Sequence, residues 1–208
     1  MRGIDFTLYL VTDRTLVAEG EFLNVLRKAL EGGVKAVQLR EKDLPGREIL
    51  FLAREVRKLT SSFGAKLFIN DRVDVALAVG AEGVHLREDS MPVSAVRRSF
   101  PELLVGRSTH SLEGALEAER EGADFITFGP VFETPSKRKF GPPQGVEKLA
   151  AVAESVSIPV FAIGGVKPER VVEVRKAGAK GIALISGIIA APDPKEAAEK
   201  YLLLMKGR

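Results

Sequence analysis

Short apolar runs recur along this chain, each separated from the next by an amphipathic or polar stretch. They fall at about residues 7–12, 35–39, 66–70, 83–86, 103–107, 125–129, 159–163 and 181–185. The runs are near-continuously apolar rather than alternating, as expected of parallel strands buried on both faces. Between them the period changes to that of a helix. Phe22, Val25, Leu26, Ala29 and Leu30 share one face, as do Ile49, Leu52, Ala53 and Val56. Leu112, Ala115 and Leu116 give a weaker third face, and Val171, Val174 and Ala177 a fourth. The segment MPVSAVRRSF after the fourth run predicts a shorter helix.

A local pattern ties these elements together. GGVKAVQL begins at Gly32, GAEGVHL at Gly80, GADFITF at Gly122 and GAKGIAL at Gly178. Each reads as a helix closing at glycine, which tolerates the left-handed conformation there, followed at once by a strand. Eight such β-α units predict a compact α/β fold, a (β/α)8 or TIM barrel with residues 1–208 as one domain. An open doubly wound sheet is the alternative arrangement of the same units.

Composition narrows the function classes. The chain has 208 residues, 45% hydrophobic and 28% charged, with a net charge of only +3. So small a charge argues against nucleic acid as partner. No apolar run approaches a membrane span and no signal-peptide pattern opens the chain, so a cytoplasmic protein is the expectation. With no cysteine, thiolate chemistry and disulfides are excluded. Asparagine and glutamine are scarce, at Asn24, Asn70, Gln38 and Gln144 alone. That scarcity suggests a heat-adapted source and makes each remaining amide a candidate for a specific job.

In a barrel of this kind, functional residues follow the strands. Thr12-Asp13-Arg14, Gln38 to Lys42, Asn70-Asp71-Arg72 and His85 to Asp89 stand there. So do Ser108-Thr109-His110, Gly129-Pro130, Gly164-Gly165 and Ser186-Gly187. Gln38, Arg40 and Lys42 occupy alternate positions and can converge on one anion. Gly164-Gly165 reads as a turn or as a backbone cradle for phosphate, completed by Ser186-Gly187. Asp71 reads either as a helix cap or as a Mg²⁺ ligand, since that hard cation takes carboxylate oxygens. His85, inside a strand, reads as structural. VFETPSKRKFGPPQG at 131–145 is a long loop after the sixth strand, basic enough to cover an anionic substrate.

Six segments resemble one known family. QLREK at 38–42, INDRVDVALAVGAEGVHL at 69–86 and GRSTHSLEGALEAEREGAD at 106–124 are similar to thiamine phosphate synthase and its relative, the thiazole tautomerase. GPVFETPSK at 129–137, IPVFAIGGV at 158–166 and GIALISGI at 181–188 are too. The resemblance implies joining of hydroxymethylpyrimidine diphosphate to thiazole phosphate by Mg²⁺-assisted loss of diphosphate. It implies that Arg40, Lys42, Lys137, Asn70 and Ser108 meet the diphosphate and Gln38 the pyrimidine. Thr134, Ser136, Gly164, Gly165, Ser186 and Gly187 would receive the thiazole phosphate, with His110 also at the substrate. Asp71 would hold the metal. The partners implied are these small phosphorylated molecules, and a homodimer is compatible with them.

Two departures from the family pattern stand out. Synthases usually carry G-Q-x-D after the fourth strand, the aspartate being a second metal carboxylate. Here the chain reads Arg87-Glu88-Asp89-Ser90, so Ser90 takes that position and Asp89 or Glu88 would have to substitute. In the loop after the sixth strand the usual K-D-A becomes Lys137 followed by Arg138-Lys139-Phe140. The tautomerase, which shifts a proton without metal, is the alternative, with FET at 132–134 in its favour. It would need His110 as proton carrier, because Pro130 stands where that enzyme has a histidine. A thiazole-phosphate-binding regulator without turnover is the third reading.

Overall fold

The computed structural model describes residues 3–134 and 142–207. Among these, eight parallel strands pair in chain order and close into a barrel, β8 returning to β1. They are β1 (Leu8–Val11), β2 (Ala36–Leu39), β3 (Lys66–Asn70), β4 (Gly83–Leu86), β5 (Leu104–Thr109), β6 (Phe125–Phe128), β7 (Val160–Ile163) and β8 (Gly181–Leu184). Closure rules out the open sheet. Every strand lies inside the apolar run that predicts it except β5, which continues to Thr109.

The described helices alternate with the strands. They are α1 (Phe22–Glu31), α2 (Gly46–Ser62), α3 (Val73–Val79), α4 (Val93–Ser99) and α5 (Leu112–Arg120). After the sixth strand come α6 (Gly145–Ser155), α7 (Val171–Lys176), α8 (Ser186–Ile189) and α9 (Pro194–Lys206). None is long and apolar enough to cross a membrane. The predicted faces are buried on α1, α2 and α7 through Leu26, Ala29, Leu30, Ile49, Ala53, Val56, Val171 and Val174. On α5 the core contacts are Ala115 and Ala118, while Leu116 is 40% exposed. Gly80, Gly122 and Gly178 take positive φ as expected, but at the first repeat Gly33 does so rather than Gly32. Gly32 answers to packing instead, because a Cβ there would lie 2.5 Å from the Lys195 carbonyl of α9.

Two of the repeats carry a staple at the lower end of the barrel. Glu82, just before β4, accepts from the Leu67 amide of β3 at 2.8 Å and from Arg57 of α2 at 2.7 Å. Asp124, before β6, accepts from the Val105 amide of β5 at 2.7 Å and from Arg97 of α4 at 2.5 Å. Each acid thus binds a helix and the strand it leads into to the next strand.

Aromatic rings fill the barrel. Phe6, Tyr9, Phe68, Phe125 and Phe161 are all buried, with neighbouring centroids 5.1 to 6.2 Å apart and mostly edge-on, the arrangement the ring quadrupole favours. Three of them fit because a glycine faces each across the ladder. Gly83 is in register with Phe68, Gly106 with Phe125 and Gly181 with Phe161. A Cβ on those glycines would stand 2.7, 2.5 and 2.4 Å from the respective rings. The aromatic plug closes the lower barrel, so polar residues nearer the C-terminal ends of the strands face a buried aromatic floor.

Candidate active site

Above the plug, five polar side chains link across the barrel. Gln38 Nε2 approaches the Tyr9 hydroxyl at 3.4 Å, and that hydroxyl lies 3.4 Å from His85 Nδ1. His85 Nε2 meets Ser108 Oγ at 3.1 Å and Thr127 Oγ1 at 3.4 Å. Gln38 and Ser108 are therefore inward residues of β2 and β5 rather than loop residues. His85 is the node between them. Burial is the main cause that drives its pKa from 6.5 down to about 3, so the ring is neutral.

The sign for stability follows from that depression. An unfolded histidine takes its proton near 6.5, the folded one only near 3. Between those values the unfolded chain binds more protons, so stability falls as pH falls. The slope from this group approaches about 1.4 kcal/mol per pH unit at most. Denaturant titrations across that window should show a smaller pH dependence for His85→Gln than for the parent. Parallel curves would remove His85 from the acid sensitivity.

A second cluster joins the loops after β1 and β2. Glu41, 8% exposed, accepts from Thr12 Oγ1 at 2.5 Å and from the Arg14 amide at 3.0 Å. Thr12 Oγ1 in turn accepts from the Arg40 amide at 3.0 Å. The latch fixes the backbone on both sides of Arg40 and leads directly into Lys42. Burial pushes the Glu41 carboxyl up, against the two hydrogen bonds that hold it down. Burial likewise pulls the Arg40 guanidinium down, while Asp13, Glu41 and Asp71 favour its charge.

The third cluster lies between β3 and β4. Asp71 adopts a left-handed backbone with φ 59°, uncommon for a residue with a side chain, and its amide donates to the His85 carbonyl at 3.0 Å. Its carboxylate accepts from the Arg87 amide at 3.0 Å, from Arg87 Nε, from Ser90 Oγ and from Asn70 Nδ2 at 3.4 Å. Burial would raise the Asp71 pKa, but the bonds from Ser90 and Arg87 outweigh it and hold it below the ordinary aspartate value. The helix-cap reading fails, because α3 has Arg72 at its cap and no side-chain cap bond. Lys42, Asn70, Asp71, Arg72 and Arg87 line one cleft of about 400 Å³, with Glu41 and the apolar Leu39, Leu44 and Ile49. Gln38 and Arg40 are not among its lining residues.

On the opposite side, the loops after β6 and β7 pack together. The Val131 amide donates to the Ile163 carbonyl at 2.9 Å and the Phe132 amide to Gly164 at 3.0 Å. Gly164 and Gly165 both have positive φ, and a Cβ would stand 2.6 Å from Pro130 Cβ or from the Glu133 carbonyl. This close approach accounts for the glycine pair whatever ligand it meets. Ser186 and Gly187 open the short α8 after β8, the strand that pairs with β7. His110 Nδ1 bonds the Gly129 carbonyl, and its Nε2 lies 4.0 Å from Glu88. Thr134 is half-buried at the edge of the described chain, whereas Ser136, Lys137 and Arg138-Lys139 lie outside the described residues.

Residues 8–188 match the family model described as thiamine monophosphate synthase. The chain belongs to that family. A thiamine-phosphate synthase of Desulfitobacterium hafniense strain Y51 is 45% identical, covering 98% of this chain and 99% of that protein. One from Pyrococcus abyssi is also 45% identical, over 93% and 91%. Among solved structures, thiamine phosphate pyrophosphorylase from Pyrococcus furiosus is 42% identical, with TM-score 0.88 over 97% of this chain and 96% of that one.

Within this thiamine monophosphate synthase fold, the implied Mg²⁺ site can be tested on its donors. The two-carboxylate arrangement of Asp71 with Asp89 is not formed. Asp89 is exposed and reaches Asp71 only through Arg87, whose Nη1 lies 3.5 Å from it. Ser90, at the aspartate position of the family pattern, donates to Asp71 instead. No group of three or more acidic, His or Cys side chains suited to a metal occurs among the described residues. As arranged, these residues do not fit the metal. Sequence reasoning passed over Glu41, Arg87, Tyr9 and Thr127 as participants. Glu41 sits between two cations in a motif read for its positive charge, and Tyr9 and Thr127 sit inside runs read as core.

Proposed function

We propose that this chain is a transferase that joins hydroxymethylpyrimidine diphosphate to thiazole phosphate, giving thiamine phosphate and diphosphate. Membership of the thiamine monophosphate synthase family across residues 8–188 carries this reading. The clustering of anion-binding and neutral polar groups at one end of the barrel supports it. In the reaction, the bond from the pyrimidine methylene to the diphosphate oxygen breaks and its electron pair leaves with the diphosphate. The lone pair of the thiazole nitrogen then forms the new C–N bond. A nitrogen that carries no proton needs no general base.

The residues suit these steps. Arg40 and Lys42, with Asn70, Ser108 and Lys137, would take the leaving diphosphate and stabilise the charge that develops on it. Gln38 would orient the pyrimidine over the aromatic floor. A neutral His85 suits a site where a pyrimidine-methyl cation forms, since an imidazolium there would repel it. Thr134 and Ser136, with the backbone of Gly164-Gly165 and Ser186-Gly187, would hold the thiazole phosphate opposite. No step is routed through a metal.

The test is diphosphate release on mixing the two substrates, followed with Mg²⁺ and with chelator. Release that requires both substrates is expected. Its absence under both conditions would overturn the synthase, and isomerisation of a thiazole carboxylate phosphate in its place would establish the tautomerase.

A further inference from the structure

The carboxylate of Asp71 lines the cleft assigned to an anion, and a bare carboxylate there would repel it. Arg87 and Ser90 resolve the conflict. Arg87 donates its amide and Nε to the two oxygens of Asp71, while Ser90 Oγ adds a further bond to Oδ1. Every one of these donors comes from the loop after β4. The left-handed backbone at Asp71 turns its carboxylate towards that loop, and the amide bond to the His85 carbonyl of β4 holds it.

We propose that Arg87, with Ser90 beside it, is a built-in cation that lets this cleft bind the diphosphate group of its substrate without a divalent metal. The inference rests on the synthase reading and specifies how its diphosphate is held. Charge next to Asp71 favours this role. Aligned to the G-Q-x-D pattern, Arg87 replaces the glycine and Ser90 the aspartate. A cation is thus gained and a carboxylate lost beside Asp71. Glu88, in place of the glutamine, lies 4.0 Å from His110 instead. Lys42, Arg72 and Arg87 then outnumber Glu41 and Asp71 among the cleft residues. Arg40 is close enough for its charge to be felt by Asp71 and Arg87 alike. A guanidinium also suits the role chemically, because its planar fork can hold a carboxylate on one edge and a phosphate on another.

Titration calorimetry of the full chain with inorganic diphosphate tests this directly. The parent protein should bind diphosphate in chelator, and saturating Mg²⁺ should change Kd by less than about threefold, or ~0.7 kcal/mol. Arg87→Ala should weaken binding in chelator by about 10- to 100-fold, as for loss of a charge-assisted hydrogen bond. The double variant Arg87→Gly with Ser90→Asp should bind diphosphate only with Mg²⁺. It should also acquire a Mn²⁺ site, seen by electron paramagnetic resonance, that the parent lacks. Binding by the parent only when Mg²⁺ is present would overturn the inference and leave the synthase reading intact. No diphosphate binding under either condition would overturn both. The parent's response to Mg²⁺ decides the matter even if a variant fails to fold.

Discussion

Arg40→Ala is expected to lower kcat/KM for diphosphate release by about 10²- to 10³-fold, the loss typical of removing one donor aimed at developing charge. The backbone that carries Arg40 is held on both sides. The Arg40 amide is bonded to Thr12 Oγ1, and the Thr12–Glu41 bond anchors the next residue. A partly buried guanidinium among Asp13, Glu41 and Asp71 acts in a medium where its charge is screened less than at the surface. Charge on the leaving oxygens grows as the bond breaks, so kcat should fall by more than KM rises. Arg40→Lys should recover only part of the loss, because a lysine lacks the planar fork. Steady-state kinetics with the melting temperature as control would check both. A kcat/KM within threefold of the parent would take Arg40 out of the chemistry.

Gly181→Ala carries the largest expected effect on stability, a loss of about 3 kcal/mol, at the upper end for an overpacked core. The new Cβ would lie 2.4 Å from Phe161 Cε1 and 2.5 Å from the Thr7 carbonyl. Phe161 has little room to retreat, since Phe6, Tyr9 and Phe125 surround it with centroids 5.1, 6.2 and 5.5 Å away. The carbonyl is backbone and pairs with the Ile182 amide at 2.9 Å, so moving it disturbs the β1–β8 closure itself. Adding Phe161→Leu should therefore restore only part of the stability. Urea unfolding of the single and double variants would read this out, and an unchanged midpoint for Gly181→Ala would mean that the seam is far looser than its distances imply.

How much of the molecule was legible beforehand depends on the range of each interaction. The eight strands could be read because a parallel strand buried on both faces is apolar over most of its length, and Leu67 to Ile69 admits little else. Family membership could be read because QLREK, the Asn70-Asp71 pair and IPVFAIGGV are local strings. The roles of Gly83, Gly106 and Gly181 could not. In the sequence they are unremarked members of strand runs, and only the ladder register sets them against Phe68, Phe125 and Phe161. Glu41 was hidden for the same reason, its partners Thr12 and Arg14 lying on the previous β-α unit.

The sequence by itself determined that this chain is a run of eight β-α units of a particular family with polar residues after the strands. Periodicity and short motifs encode these things within a few residues. Closure of the sheet decided between barrel and open sheet. The tertiary structure decided what the charged residues do. It set Arg87 and Ser90, rather than a second carboxylate, against Asp71, across a gap of 16 residues in one case and 19 in the other. It also made His85, which reads as an ordinary strand residue, the neutral centre of a network joining four strands besides its own. Electrostatics and desolvation act through space, so their outcome depends on which strands the barrel brings side by side.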